Sequence, residues 1–170
     1  MRTRDIRSVI YLSAGFGLIT AIFTYLETVE AGLQKYCTLN SYVSCSAVAN
    51  SGKTTLLGIP DSLVGVGGFI LIIGVAAIAE SRRREILWPY LLLFVTSSGV
   101  AISLYFAYLE FAVIHALCPV CFTAWVFGWI AWVGALLLVR KVRAKARARA
   151  LEPSTGTPSG SKSSSPSPPG

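Results

Sequence analysis

The sequence predicts an all-α integral membrane protein: a four-transmembrane-helix bundle with both termini cytoplasmic and a long extracytoplasmic first loop. Three observations predict it. Hydrophobic residues make up 54% of the chain and charged residues only 14%, whereas soluble domains carry about a quarter charged residues. The apolar residues fall into four nearly uncharged blocks, Ser8–Leu26, Ile59–Ala79, Ile86–Leu109 and Cys121–Val139. Each is close to the ~20 residues that cross ~30 Å of hydrocarbon as a helix. Finally, thirteen of the fifteen basic residues lie at the N-terminus (Arg2, Arg4, Arg7), in the second connection (Arg82, Arg83, Arg84) and after the fourth block.

In lipid only helices and closed barrels satisfy their own backbone, and continuous apolar runs without alternation point to helices. The first block follows three arginines but is long for a signal peptide, and no small-x-small cleavage site follows it. It is therefore helix one. The segment from about Glu30 to Gly58 is the one long connection, and loops of that length are usually functional. Gly65, Gly67, Gly68 and Gly74 in the second block read as sites of close helix packing. The inner loop Glu80–Glu85 is a tight polar hairpin. A short third connection, about Glu110–Leu117, keeps the tops of the last two helices together. Glu27 and Glu110 fall at the outer boundary, where solvation or pairing is expected.

Beyond Val139 an Ala/Arg/Lys stretch extends as a cytoplasmic helix. From Pro153 the chain is Ser, Pro, Gly and Thr, too polar to bury a core. The expected division is a membrane domain over 1–145 and a disordered cytoplasmic tail over 146–170. The basic clusters place both termini and the second connection inside. The net charge of +7 is then an anchor against anionic lipid rather than a nucleic-acid surface. Ser51-Gly52-Lys53-Thr54 looks like the end of a phosphate loop, but the first glycine of that motif would fall at Ala47, so no nucleotide site is expected.

All four cysteines fall on the outer side. Cys37 and Cys45 lie in the long loop, and Cys118 and Cys121 form C-P-V-C at the start of the fourth helix. On an oxidising face such residues form disulfides. Two structural staples and a four-cysteine zinc site are the rival readings. The C-P-V-C spacing favours redox chemistry. Pro119 suits the first helical position, where its missing N–H costs nothing. Cys118 is then near the cap and Cys121 lies in the first turn, where free N–H groups and the helix dipole favour an anion. Such a thiolate is a better nucleophile or leaving group. Cys37 and Cys45 sit among Asn40, Ser41, Ser44 and Ser46, so this pair is expected to be mobile and to swing between a soluble partner and C-P-V-C. At the membrane boundary the natural electron acceptor is a lipid-soluble quinone. The aromatic rim of Tyr105, Tyr108, Phe111, Phe122 and Trp125 suits either a quinone pocket or an interface belt. His115, the single histidine, is either a proton carrier for quinone reduction or a plain loop residue.

The chain resembles the vitamin K epoxide reductase family, which includes quinone-dependent disulfide-forming enzymes of bacteria and archaea. The resemblance covers most of Ser8–Val139. It rests on C-x7-C (Cys37, Cys45), the following Ser51, G-I-P-D-S-L-V-G opening helix two, T-S-S-G-V-A-I-S-L-Y in helix three and C-P-V-C-F-T-A-W in helix four. The other four-helix quinone-linked thiol oxidases, of the DsbB type, carry their C-x-x-C at helix two.

The family resemblance implies that Cys37 forms a mixed disulfide with a thioredoxin-like (DsbA-like) partner. It further implies that Cys45 passes electrons to Cys118 and that Cys121 meets the quinone, of ubiquinone, menaquinone or phylloquinone type. Ser51 falls where the family places a hydroxyl that helps hold the substrate. Asp61 replaces an asparagine that hydrogen-bonds a quinone carbonyl in some members, and an ionised Asp cannot donate. Trp125 stands where animal members have a tyrosine near the quinone, so its contact would be stacking or packing. Many bacterial members carry a fused thioredoxin-like domain; here the partner is expected to be a separate protein. The implied function is reoxidation of that partner at the outer face of the cell membrane, without a metal. Vitamin K epoxide or quinone reduction is the alternative.

Overall fold

The computed structural model describes residues 3–30, 43–51, 55–56, 58–82, 85 and 87–151. Its elements are α1 (Thr3–Val29), α2 (Cys45–Asn50), β1 (Thr55–Leu56), β2 (Ile59–Pro60), α3 (Asp61–Ser81), α4 (Leu87–Tyr108), a π-helical turn (Leu109–Ile114) and α5 (Pro119–Leu151). Four helical stretches, Thr3–Val29, Asp61–Ser81, Leu87–Ile114 and Pro119–Ala148, are long and apolar enough to cross a membrane. They are apolar on the outside as well. Leu12, Ile19, Ile70 and Phe94 are all exposed on the bundle surface, as expected of helices whose solvent is lipid.

The bundle closes as a ring. Helix α1 packs on α5 and α3, and α4 packs on α5 and α3. Its interior holds Ile6, Ile10, Ala14, Phe69, Ile72, Leu92, Ala135 and Leu138. Lipid gives little hydrophobic drive for helices to associate, so small residues and interhelical hydrogen bonds carry the packing. Trp129 Nε1 donates to Ser103 Oγ and Trp132 Nε1 donates to Ser97 Oγ, both at 3.0 Å, joining α5 to α4. At the basic end Arg7 pairs with Glu80 at 3.4 Å, and the Arg143 guanidinium lies 5.0 Å from the centre of the Tyr90 ring.

The glycines pack differently from the sequence expectation. A Cβ on Gly65 would meet Ala21 at 3.4 Å, but none on Gly67, Gly68 or Gly74 would meet anything within 4 Å. The close approaches are at Gly17, whose Cβ would lie 2.3 Å from the Phe69 ring, and Gly134, whose Cβ would lie 2.7 Å from Ile10. Spacing alone shows which glycines share a helix, not which of them face a neighbour.

The third connection is shorter than expected. The helix continues beyond Tyr108 as the π-helical turn and ends at His115, which adopts the left-handed conformation (φ 54°). Histidine is among the few non-glycine residues that tolerate this region. At the other end α5 runs to Leu151, so 146–151 of the expected tail is helical; residues 152–170 lie outside the described residues.

Candidate active site

The site begins with the start of α5. Pro119 is its first residue, which makes Cys118 the N-cap. The Cys118 Sγ accepts the Cys121 N–H at 3.2 Å, the bond that a serine or aspartate oxygen makes at ordinary N-caps. The first turn of α5 thus turns both sulfurs inward. Cys118 is 1% exposed and Cys121 6%, and both are free thiols.

Cys45 is brought to them from a distant part of the sequence. Ser44 caps α2 by accepting the Ala47 N–H at 3.2 Å. The Ser44 N–H donates to the Leu117 carbonyl at 3.2 Å, and Val43 and Leu117 form a parallel bridge. This clip sets Cys45 Sγ 3.2 Å from Cys118 Sγ. Cys45, Val48, Ala116, Cys118 and Cys121 form one buried cluster, with Ile114, Val120 and Trp125 packed against it. Cys45 is itself disulfide-bonded.

The expected mobile loop pair is therefore corrected for its second member. Cys45 is 5% exposed and held in a capped helix, because Val48 and the Leu117 bridge bury it. Cys37 lies outside the described residues, as do Gly52, Lys53 and Thr54. A cysteine in a disulfide is no thiolate ligand, which removes Cys45 from a four-cysteine zinc site.

Beneath the dithiol lies a cavity of about 420 Å³ inside the bundle, within the size range of small-molecule sites. Asp61, Phe69, Phe106, Cys121 and Trp125 line it. It also reaches Leu71 of α3 and Phe94 of α4, both exposed on the outer surface of the bundle. Asp61 opens α3, and its Oδ1 accepts the Ser62 N–H at 2.7 Å. The turn before it needs Gly58, whose φ is +84°.

Of the predicted site residues, the structure brings together Cys45, Cys118 and Cys121, and places Asp61 and Trp125 in the cavity wall with Cys121. Ser51 stands apart at the end of α2, with its Oγ donating to the Val48 carbonyl at 2.7 Å. The aromatic rim divides. Trp125 is half-buried and faces the cavity, while Tyr105, Tyr108, Phe111 and Phe122 are exposed as an interface belt would be. His115 is exposed.

Sequence reasoning missed Glu110. It is not solvated at the boundary but 1% exposed, and its Oε2 accepts the Cys118 N–H at 3.1 Å. The signal was an ionisable residue on the end of an apolar helix, which in a membrane segment marks function by default. Ending that helix at Leu109 hid the signal. Glu27 on α1 is also buried, at 2% exposure.

A dithiol at a helix cap, in contact with a disulfide-bonded cysteine and opening onto an apolar cavity of the bundle, suits a multi-pass membrane oxidoreductase. The comparison with known families agrees. Residues 8–136 match the model of the Vitamin K epoxide reductase family, and the chain belongs to that family.

Proposed function

We propose that the protein reoxidises a separate extracytoplasmic thioredoxin-like partner and passes the electrons through two cysteine pairs to a membrane quinone. Cys37 takes the mixed disulfide with the partner, whose second thiol then leaves the partner oxidised and Cys37 and Cys45 reduced. The Cys45 thiolate attacks Cys118 of an oxidised Cys118–Cys121 pair and Cys121 departs as the thiolate. Cys37 closes the loop disulfide and releases Cys118. The net change is one partner dithiol converted to a disulfide and one quinone converted to its quinol, with two electrons and two protons conserved.

One observation carries this reading: Cys45 Sγ touches Cys118 Sγ at 3.2 Å while Cys121 lines the cavity. The described state, with Cys45 disulfide-bonded and the C-P-V-C thiols free, is the one expected just before the dithiol discharges to the acceptor. Free thiols beside a disulfide-bonded cysteine support this reading over two inert staples. The quinone head suits the cavity in size and aromatic walling, Trp125 offering a face for packing and Asp61 a polar group at the rim. In this reading Ser51 acts on the thiol side, from the far end of the helix that Cys45 begins, rather than on the quinone.

The test is oxidation of a reduced thioredoxin-like protein by the purified chain with added ubiquinone or menaquinone. Wild type is expected to consume one quinone per disulfide formed, and Cys121→Ala is expected to lose turnover. Quinone-dependent turnover surviving in Cys121→Ala would sink the assignment of that residue.

A further inference from the structure

Glu110 is buried beside the dithiol, and burying a carboxyl is costly unless its oxygens are engaged. The π-helical turn Leu109–Ile114 turns Glu110 inward while its neighbours Tyr108 and Phe111 stay exposed. Such turns are rare and concentrate at functional sites. Its Oε2 takes the Cys118 N–H, and its Oε1 has no hydrogen-bond partner among the described residues.

The pattern of bonds is that of a capping box. In that arrangement the N-cap side chain accepts the N–H three residues on, and a Glu or Gln at that third position accepts the N-cap N–H in return. Here Cys118 Sγ accepts the Cys121 N–H, so the first half is present. The third position is occupied by Cys121, a residue the chemistry requires and one that makes a poor acceptor. The missing carboxylate arrives from the preceding helix.

We propose that Glu110 is a positioning residue for thiol–disulfide exchange: it completes in space the capping box that Cys121 cannot complete in sequence. It thereby holds the Cys118 backbone so that Sγ faces Cys45. This rests on the reading that Cys118 and Cys45 exchange.

The experiment uses the full chain with Cys37→Ala and Cys121→Ala, which leaves Cys45 and Cys118 as the thiols. Equilibration with oxidised glutathione forms one Cys45–Cys118 disulfide and releases two reduced glutathione molecules, so the equilibrium constant reads the effective concentration of one thiol at the other. Glu110→Gln keeps an oxygen that accepts the Cys118 N–H and is expected to stay close to the parent. Glu110→Leu is expected to lose about tenfold or more, as small misplacements at reacting atoms do. A Leu variant equal to the parent would overturn the proposal, and so would a Gln variant that falls as far as Leu.

If Glu110→Leu does not fold, hydrogen exchange at the Cys118 amide of the wild-type chain decides. Protection is expected, and exchange at the rate of a free peptide would overturn the proposal. None of these readouts involves quinone or partner. Their failure leaves the relay intact, whereas absent quinone-linked turnover with normal Cys45–Cys118 pairing would strike the relay alone.

Discussion

Asp61 shows how one side chain can hold a helix start and line a cavity together. Its Oδ1 is engaged by the Ser62 N–H, so the carboxylate stabilises the first turn of α3 at the positive end of the helix dipole. Ionised, it has nothing to donate to a quinone carbonyl. Asp61→Asn retains an oxygen for Ser62 and adds an N–H facing the cavity. The expected outcome is a quinone KM lower by about two- to tenfold, the worth of one net hydrogen bond, with kcat little changed; steady-state oxidation at varied quinone checks it. In the proposed relay Trp125 works through its surface. Trp125→Ala is expected to raise the quinone KM while leaving Cys45–Cys118 pairing intact, which glutathione equilibration measures. Cys118, Cys121 and the helix cap were legible in the sequence because Pro119 fixes where α5 begins. Glu110 was not, since its placement depends on a backbone turn that shifts the helical phase and on a partner eight residues away.

At the scale of elements, the contact of α1 with α3 is set by Gly17. A Cβ there would lie 2.3 Å from the Phe69 ring, and Phe69 also lines the cavity. Gly17→Ala is expected to cost about 1–3 kcal/mol by overpacking and to weaken quinone binding by pushing Phe69 into the cavity. Gly134→Ala, crowding Ile10 at 2.7 Å, is expected to cost a similar amount of stability without touching the quinone. Thermal unfolding and tryptophan quenching by quinone separate the two. The four long helices were legible because each needs a full apolar block. Helix α2 was not, because it owes its burial to Val48 and to the bridge between Val43 and Leu117, a contact that no local pattern announces. The glycines of α3 misled for a related reason: Gly67 and Gly68 line the cavity rather than a helix contact.

Across the whole molecule the two ends of the bundle differ in kind. One end carries Arg7, Glu80, Arg82 and Arg143; the other carries the sulfurs. By the distribution of basic residues the first end is expected to face the cytoplasm. In a chain whose native cysteines are replaced by alanine, Ser81→Cys is expected to react with an impermeant maleimide only from the cytoplasmic side, and Phe111→Cys only from outside. The reverse labelling would place the thiol site inside and remove its access to an extracytoplasmic partner. The exposed Arg82–Glu85 pair at 3.2 Å contributes little stability, so its loss is expected to leave the bundle intact.

The clip between Val43 and Leu117 also has a kinetic meaning. Because Cys45 Sγ already touches Cys118 Sγ, the proposed internal transfer requires side-chain rotation and no diffusive search. Rotations of that kind run far faster than loop travel. Thickening the medium with glycerol should therefore slow the meeting with the soluble partner in proportion to viscosity, while the internal step keeps its pace.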